Sequence, residues 1–247
     1  MPAELYIFDL DGTLFRGDEP IPGAIEAVER VRKAGKGVRY LTNNSSQTRG
    51  SYVDKLTRLG FKAHPEEIYS SAIGTAAYLH RERVKKVFIV GESGLAQTLG
   101  DVGIVSTDRD PDAVVVGICR DFTYELLSQA MQWIKAGAKF VATNTDPTYP
   151  VEGGKFIPGA GSIVAAVQIC SEAVPFVVGK PNPFLIQLIL QEAGVSAEDA
   201  MVIGDRMDTD IAAGERAKCQ TLLVLTGAAS EAPDGQAWLP SVADLTV

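Results

Sequence analysis

The chain has 247 residues, 46% of them hydrophobic and 22% charged, which is typical of a soluble globular protein with one large or two modest domains. Its 31 acidic and 23 basic residues give a net charge of −8, which argues against a nucleic-acid partner because neutralising phosphates requires a basic surface. Three cysteines lie far apart without a Cys-x-x-Cys pair, so the sequence predicts neither a disulfide framework nor a zinc site.

The sequence also predicts no membrane partner. No run of about 18 apolar residues occurs, and the N-terminus lacks a basic segment followed by an apolar one. We therefore expect a cytoplasmic protein, in which Cys119, Cys170 and Cys219 are reduced thiols in the core.

The first predicted strand runs from Leu5 to Phe8 and leads directly into two acidic residues. Its four consecutive apolar residues indicate a strand that is buried on both faces of a parallel sheet. Because side chains alternate along a strand, Asp9 and Asp11 point to the same side, and Gly12 allows a sharp turn after them. Two close carboxylates repel, so a cation, a shared proton or an incoming ligand is expected between them; the alternative is a pair of ordinary solvated turn acids.

A helix and a second strand follow. Apolar residues at helical spacing predict a helix from Gly23 to Ala34, and Gly37 to Thr42 is the next predicted strand, with a helix from about Gln47 to Leu59 after it. A right-handed βαβ connection places the end of this strand beside the end of the first. The hydroxyl and amide groups of Thr42 to Ser46 would suit a phosphate there, although the same residue types form common capping sequences.

The middle of the chain, from about Ser71 to Pro175, has a second α/β pattern. The predicted strands are Val87 to Val90, Ala113 to Ile118 and Lys139 to Thr143. The predicted helices are Ala72 to Arg81, Gly94 to Leu99, Tyr124 to Ala136 and Ile163 to Cys170. The pattern alone leaves open whether these elements extend the first sheet or form an inserted domain. Gly159 to Ser162 predicts a tight turn at a helix entrance, since a dinucleotide loop needs a third glycine.

Two strand ends in the C-terminal part carry further charged residues. A short buried strand predicted from Phe176 leads to Lys180, and a helix follows. The apolar run Ala200 to Gly204 predicts another buried strand, and a last strand is predicted from Thr221 to Leu225. The acidic residues after the first of these two strands are Asp205, Asp208 and Asp210.

Taken together, four strand ends carry residues with functional chemistry: Asp9 with Asp11, Thr42 with Asn43, Lys180, and Asp205 with Asp210. In this order they resemble the haloacid dehalogenase-like phosphohydrolase superfamily, whose pattern is Asp-x-Asp-Gly-Thr, then Ser or Thr, then Lys, then Gly-Asp with a second acid. Longer segments are similar to its class IIA branch, the NagD-like or 4-nitrophenylphosphatase-like proteins. These segments are Leu41–Ser46, Ala142–Pro147, Pro158–Ser162, Gly179–Pro181 and Gly204–Asp210. Leu10 and Thr145 depart from the branch, which often has Met and Pro there, but neither touches the chemistry.

The resemblance implies an α/β fold in which a Rossmann-like parallel-sheet core is interrupted by a large inserted α/β cap domain. The expected boundaries are residues 1–71 for the first part of the core, 72–176 for the cap and 177–247 for the second part of the core. It further implies a phosphatase that hydrolyses small phosphorylated metabolites. The oligomeric state is left undecided, with a homodimer as one possible assembly.

The resemblance also implies roles for the acidic residues. Asp9 is the expected nucleophile, which forms an aspartyl-phosphate, and Asp11 is the expected general acid and then general base. Mg²⁺ is the expected cofactor, held by Asp9, the backbone carbonyl of Asp11 and Asp205. Asp210 would contact the residues that bind the ion, or would act through a water molecule bound to the ion.

The same resemblance assigns the phosphoryl group to the remaining residues. Thr42 and the Asn43 amide would hold its oxygens, and Lys180 would neutralise the charge that develops on it. Asp208 is expected in a turn or at a helix start. Candidate substrates are nucleoside monophosphates, small sugar or glycolytic phosphates and pyridoxal phosphate, with the cap choosing the leaving group.

Three other functions are weighed against this one. A phosphotransferase or phosphomutase would pass the same aspartyl-phosphate to an alcohol, and the sequence does not separate it from a hydrolase. A haloacid dehalogenase needs one nucleophilic Asp and no magnesium, whereas Asp11, Lys180 and Asp205 together suit a phosphate. A catalytically silent binding module would be indicated by a lost motif residue, and none is lost.

Overall fold

The structure, a computed structural model, describes residues 3–151 and 155–247, which divide into two units. Unit 1 contains the chain up to Thr42, Gly50–Tyr69 and Lys180–Val247, and unit 2 contains Asn43–Arg49 and Ser70–Gly179. Each unit has its own sheet. The core and cap boundaries implied by the resemblance stay a prediction, and residues 1–2 and 152–154 within those ranges lie outside the described part.

Strands and helices alternate along most of the described chain. The strands are β1 Leu5–Asp9, β2 Phe15–Arg16, β3 Glu19–Pro20, β4 Gly37–Thr42, β5 Ile68–Ser70, β6 Lys86–Val90, β7 Val105–Ser106, β8 Ala113–Val116, β9 Lys139–Ala142, β10 Thr148–Val151, β11 Lys155–Pro158, β12 Phe176–Val177, β13 Ala200–Gly204, β14 Gln220–Val224 and β15 Trp238–Leu239. The α-helices are α1 Ala24–Lys33, α2 Arg49–Arg58, α3 Ser71–Arg81, α4 Ser93–Gly100, α5 Tyr124–Lys135, α6 Ala160–Ser171, α7 Phe184–Ala193 and α8 Ala212–Arg216.

The sheet of unit 1 has six strands in the order β15-β14-β13-β1-β4-β5. All five residues of β1 are buried, as predicted for a strand covered on both faces. It pairs in parallel with β4 on one side and with β13 on the other. Asp9 lies opposite Leu41, and Phe8 lies opposite Ile203. The predicted βαβ placement is therefore confirmed, and the carboxyl ends of three neighbouring strands lie at one edge of the sheet.

The main sheet of unit 2 has five strands in the order β12-β9-β8-β6-β7. Its neighbouring strands pair in parallel, and β10 and β11 form a separate antiparallel pair. Buried residues of α5 and α6, such as Ala130 and Val164, share an apolar cluster with Val90, Val114 and Val116 of the sheet. The elements predicted in the middle of the chain thus form a sheet of their own.

One predicted element of the C-terminal part differs from the structure. The strand that begins at Phe176 contains only Phe176 and Val177, which are half-buried, and it pairs with β9 at the edge of the unit 2 sheet. An edge strand pairs on one side only, which leaves its residues partly exposed. Pro181 has no N–H group, so it cannot donate a hydrogen bond that would lengthen the strand. The prediction of a buried strand was therefore wrong, although Lys180 does follow it closely.

The cysteines differ in their environment. All three are free thiols, but only Cys119 is buried, whereas Cys170 and Cys219 are partly exposed. The prediction that all three lie in the core was wrong, because Cys170 lies beside Ile169 on a solvent-facing part of α6 and Cys219 follows the end of α8. In the described part of the chain, the helices are too short or too polar to cross a bilayer.

A partly buried ion pair joins α1 to the turn that precedes β5. Both terminal nitrogens of Arg32 donate to the Glu67 carboxylate at 2.7 Å, and the backbone N–H of His64 donates to the same carboxylate at 3.0 Å. Arg32 also donates to the carbonyl of Lys62. Burial alone would raise the pKa of Glu67, but the hydrogen bonds from Arg32 lower it below its usual value.

We predict that Glu67→Gln lowers the free energy of unfolding by about 2 kcal/mol, because the partly buried Arg32 guanidinium loses its countercharge. The matched control is Glu4→Gln, which breaks a pair between Lys36 and an exposed carboxylate and should cost less than about 1 kcal/mol. Since the pKa of Glu67 is lowered, its contribution is present above the usual value of 4.5 and is lost as pH falls through the folded value. Chemical denaturation at several pH values measures both effects; equal losses in the two variants would contradict the prediction.

Candidate active site

Lys180 lies between two carboxylates that lie at or after the carboxyl ends of central strands in the unit 1 sheet. Its ammonium group donates to Asp9 Oδ1 at 2.5 Å and to Asp210 Oδ1 at 2.6 Å. All three residues are buried, and Lys180 is 3% exposed. Although burial lowers the pKa of Lys180, the adjacent Asp210 and Asp9 carboxylates raise it above its usual value. The two carboxylates therefore favour the charged form of the lysine in this site.

Asp210 reaches this position through an unusual turn. The residues after β13 form a π-helical turn, Met207–Ile211, in place of a regular helix start. The backbone N–H of Arg206 donates to Asp210 Oδ2 at 3.0 Å. A Cβ atom at Gly204 would lie 2.3 Å from the Cβ of Asp210, so the close approach requires glycine there. Asp208, in the same turn, is exposed and paired with Arg206, in keeping with the turn position expected from the sequence.

Asp205 completes a group of three buried carboxylates. Ligand atoms of Asp9, Asp205 and Asp210 all lie within 4.8 Å of one another. Burial raises the pKa of Asp9 well above its usual value, and burial followed by the charge of Asp210 raises that of Asp205 to about 6. Three carboxylates thus face one ammonium group, and the excess negative charge together with the all-oxygen donor set fits a hard divalent cation.

A loop after β14 shapes the surroundings of Asp205. The backbone N–H of Ala228 donates to Asp205 Oδ2 at 2.6 Å. A Cβ atom at Gly227 would lie 1.9 Å from the same oxygen, and one at Gly12 would lie 2.5 Å from it. The Thr226 hydroxyl donates to the Gly12 carbonyl at 2.7 Å, which joins this loop to the turn after β1. The sequence patterns assigned no role to this loop. Thr226 and Gly227, which follow the last predicted strand, are the residues that could have indicated one.

Asp11 lies just beyond β1 and outside the three-carboxylate group. Its backbone forms an isolated bridge with Phe15, and the residue is partly exposed. The atoms packed around its carboxyl group raise its pKa, and Lys55 and Lys180 oppose that shift. A carboxyl group with a raised pKa that still reaches solvent can give up and take back a proton.

The predicted phosphate-binding residues at the end of β4 fall in different units. Thr42 is the buried last residue of β4 in unit 1, one position beyond the pair formed by Leu41 and Asp9. Asn43 is the first residue of unit 2, and its side chain donates to the carboxylate of Asp146. The structure therefore brings together Asp9, Lys180, Asp205 and Asp210 within unit 1, with Thr42 at the end of the adjacent strand.

Comparisons with known proteins show to which family the chain is similar. A family model described as haloacid dehalogenase-like hydrolase matches residues 6–105, and a second, HAD-hydrolase-like model matches residues 177–245. The ribonucleotide monophosphatase NagD of Escherichia coli K12 is 34% identical over 253 residues, which cover 100% of both chains.

Solved structures show the same similarity. A p-nitrophenyl phosphatase from Archaeoglobus fulgidus superposes with a TM-score of 0.92 at 32% identity, covering 99% of this chain and 98% of that one. A glycerol phosphate phosphatase from Mycobacterium tuberculosis, solved in complex with magnesium, gives a TM-score of 0.85 at 37% identity, covering 92% of this chain and 69% of that one.

We predict that Gly12→Ala weakens the binding of a divalent cation by about tenfold or more, because the new methyl group displaces the Asp205 carboxylate. Gly12 has a φ of +88°, so the variant also carries backbone strain. Gly35→Ala is the matched control, since Gly35 has a φ of +75° and nothing lies within 4 Å of its added Cβ atom. Calorimetric Mg²⁺ titration of both variants separates the two effects. Equal cation affinity in both would contradict the assignment of Gly12 to this site.

Proposed function

The chain belongs to the haloacid dehalogenase-like hydrolases, in their NagD-like class IIA branch, and is a phosphatase for small phosphorylated metabolites; we propose that Asp9 is its nucleophile and Mg²⁺ its metal. The observation that carries this proposal is the buried group of Asp9, Asp205 and Asp210 with Lys180 between two of its members. It combines a nucleophile, a cation site and a fixed positive charge in one place.

The proposed reaction begins at the Asp9 carboxylate. One of its oxygens attacks phosphorus, a bond forms between them, and the bond from phosphorus to the leaving oxygen breaks. Burial raises the pKa of Asp9, so its anionic form depends on nearby positive charge, which the 2.5 Å contact with Lys180 supplies. The result is an aspartyl-phosphate on Asp9, the intermediate typical of this family.

Asp11 is the proposed proton donor and acceptor. In the first step its carboxyl group gives its proton to the leaving oxygen, and its raised pKa favours the protonated form that this requires. In the second step the Asp11 carboxylate takes a proton from the water that attacks phosphorus. The bond between phosphorus and Asp9 then breaks, and Asp9 and inorganic phosphate are released.

The residues that would hold the metal are Asp9, the backbone carbonyl of Asp11 and Asp205, with Asp210 next to them. When bound, the ion neutralises negative charge on the nucleophile and on the phosphoryl group. Two observations support Mg²⁺: the donor set consists of oxygen atoms, and the glycerol phosphate phosphatase of M. tuberculosis is in complex with magnesium.

The phosphoryl oxygens are assigned to Thr42, the amide of Asn43 and Lys180. A buried hydroxyl, a backbone N–H and a lysine that remains charged are the donors that a phosphoryl group requires. We propose that residues 72–176 form the cap that selects the leaving group. The named activities of the relatives indicate ribonucleoside monophosphates and glycerol phosphate as the first substrates to test.

We predict that the protein releases phosphate from 4-nitrophenyl phosphate and from members of a phosphomonoester panel, and that Asp9→Asn reduces kcat by ~10³-fold or more because the amide cannot serve as the nucleophile. Asp208→Asn is the control, since Asp208 is an exposed acid of the same motif region that is paired with Arg206. Trapping of radiolabelled phosphate on the protein after acid quench measures the intermediate. Full activity of Asp9→Asn would refute the covalent mechanism.

We predict that Lys180→Ala and Asp205→Ala fail in different ways. Loss of the lysine removes a positive charge that acts on the transferring group, so kcat falls while cation binding is kept. Loss of Asp205 removes a cation ligand and should weaken Mg²⁺ binding by about tenfold or more. Mg²⁺ titrations and steady-state kinetics on both variants test this division; identical cation affinities in the two would show that it is wrong.

A further inference from the structure

Two motifs quoted above have no part in the proposed chemistry: Ala142–Pro147 and Pro158–Ser162. Within unit 2, side chains of the first motif donate to or accept from Asn43, and the second motif contacts the backbone of the first. We infer that Asp146 and Asn144 are positioning residues, which orient the Asn43 backbone for binding of the phosphoryl group. This inference rests on the proposed function, because that function assigns the Asn43 amide to a phosphoryl oxygen.

The side chain of Asn43 is held by a carboxylate. Its Nδ2 atom donates to both oxygens of Asp146, at 3.1 Å to Oδ1 and 3.0 Å to Oδ2. Asn43 is 8% exposed, and hydrogen bonds to an ionised acceptor are stronger than neutral ones, most of all away from water. Asp146 therefore fixes the direction of the Asn43 side chain.

The carbonyl of Asn43 is held by two further side chains. The Ser71 hydroxyl donates to it at 2.5 Å, and Nδ2 of Asn144 donates to it at 2.7 Å. Ser71 is fully buried, and Asn144 is 4% exposed. With its side chain and its carbonyl both fixed, the peptide plane on either side of the Asn43 Cα has little freedom to rotate.

Asp146 is itself held by the Pro158–Ser162 motif. The N–H of Gly161 donates to the Asp146 carbonyl at 2.9 Å, and the N–H of Asp146 donates to Oδ1 of Asn144 at 3.1 Å. A Cβ atom at Gly159 would lie 2.2 Å from the Asp146 carbonyl oxygen, and one at Gly161 would lie 2.3 Å from that of Thr145. The two glycines therefore allow the start of α6 to pack directly on the segment that carries Asp146.

Asn43 follows Thr42 directly in the chain. The orientation of the peptide group that joins them therefore affects both residues that are assigned to phosphate. Loss of the Asp146 carboxylate leaves the Asn43 N–H present but less firmly oriented, because only the carbonyl side of the residue is still held by Ser71 and Asn144. The expected consequence is weaker binding of phosphate, with no change at the carboxylates that would hold the metal. A residue that served folding alone would not produce this separation.

The test is a double-mutant cycle with Asn43→Ala and Asp146→Ala, read out as competitive inhibition by inorganic phosphate and as KM for 4-nitrophenyl phosphate. Asn43→Ala keeps the backbone N–H and removes the side-chain hydrogen bonds to Asp146. We expect each single variant to weaken phosphate affinity by about tenfold, as for loss of one hydrogen bond to a charged group, and the double variant to be no weaker than either. Mg²⁺ affinity measured by calorimetry should stay at the wild-type value in all three.

Asp112→Ala is the matched control. The Asp112 carboxylate also belongs to unit 2 and accepts the backbone N–H groups of Lys85 and Lys86 at 2.9 and 2.8 Å. Its removal should leave phosphate affinity unchanged. Asp146→Asn, which keeps the size of the side chain and one acceptor oxygen, should show a smaller loss than Asp146→Ala and replaces it in the cycle if the alanine variant is insoluble.

The outcomes separate this inference from the function on which it rests. Wild-type phosphate affinity in folded Asp146→Ala, or independent losses that multiply to about a hundredfold in the double variant, would overturn the positioning role while the wild-type enzyme and inactive Asp9→Asn keep the proposed function. A wild-type protein that releases no phosphate, or an active Asp9→Asn, would overturn the proposed function and this inference with it.

Discussion

The ion pairs of Lys180 with Asp9 and Asp210 are the interaction on which the geometry of the candidate active site depends. Removing three charged groups from water costs several kcal/mol for each ion, and close, well-oriented contacts are needed to offset that cost. The lysine nitrogen meets this need with contacts of 2.5 and 2.6 Å to the two carboxylates. Asp205 adds a further negative charge, so this part of the sheet edge is arranged to receive a cation more than to stabilise the fold.

Glycine residues leave room for this group of charged side chains. Gly204 allows Asp210 to approach β13, while Gly12 and Gly227 leave room for the Asp205 carboxylate. The π-helical turn Met207–Ile211 supplies an extra residue at the same place, which turns Asp210 towards Lys180. Parallel strands contribute the remaining order, because β1, β4 and β13 all end at one edge.

In unit 2 the buried polar groups are mostly neutral, and they too need partners that offset the loss of contact with water. Asn43, Ser71 and Asn144 are buried polar residues, and their hydrogen bonds satisfy one another and the backbone. A buried network of this kind is rigid because breaking any member leaves its partner unsatisfied. The segments Ala142–Pro147 and Pro158–Ser162 join this network through the hydrogen bonds of Asn144, Asp146 and Gly161.

The sequence by itself determined the local elements and the residue types of the site. The apolar run before Asp9, the bounds Gly37–Thr42 of β4 and the strand before Asp205 all follow from patterns within a few residues, and the structure has them. The βαβ rule then predicted that two strand ends are neighbours, which the pairing of β1 with β4 confirms. Only the tertiary structure decided that Phe176 joins the sheet of unit 2, that Ala228 bonds Asp205, and that Asp146 bonds Asn43. Asn43 and Asp146 are 103 positions apart, and hydrogen-bond partners at that separation depend on how the elements of unit 2 pack together, which local residue patterns do not encode.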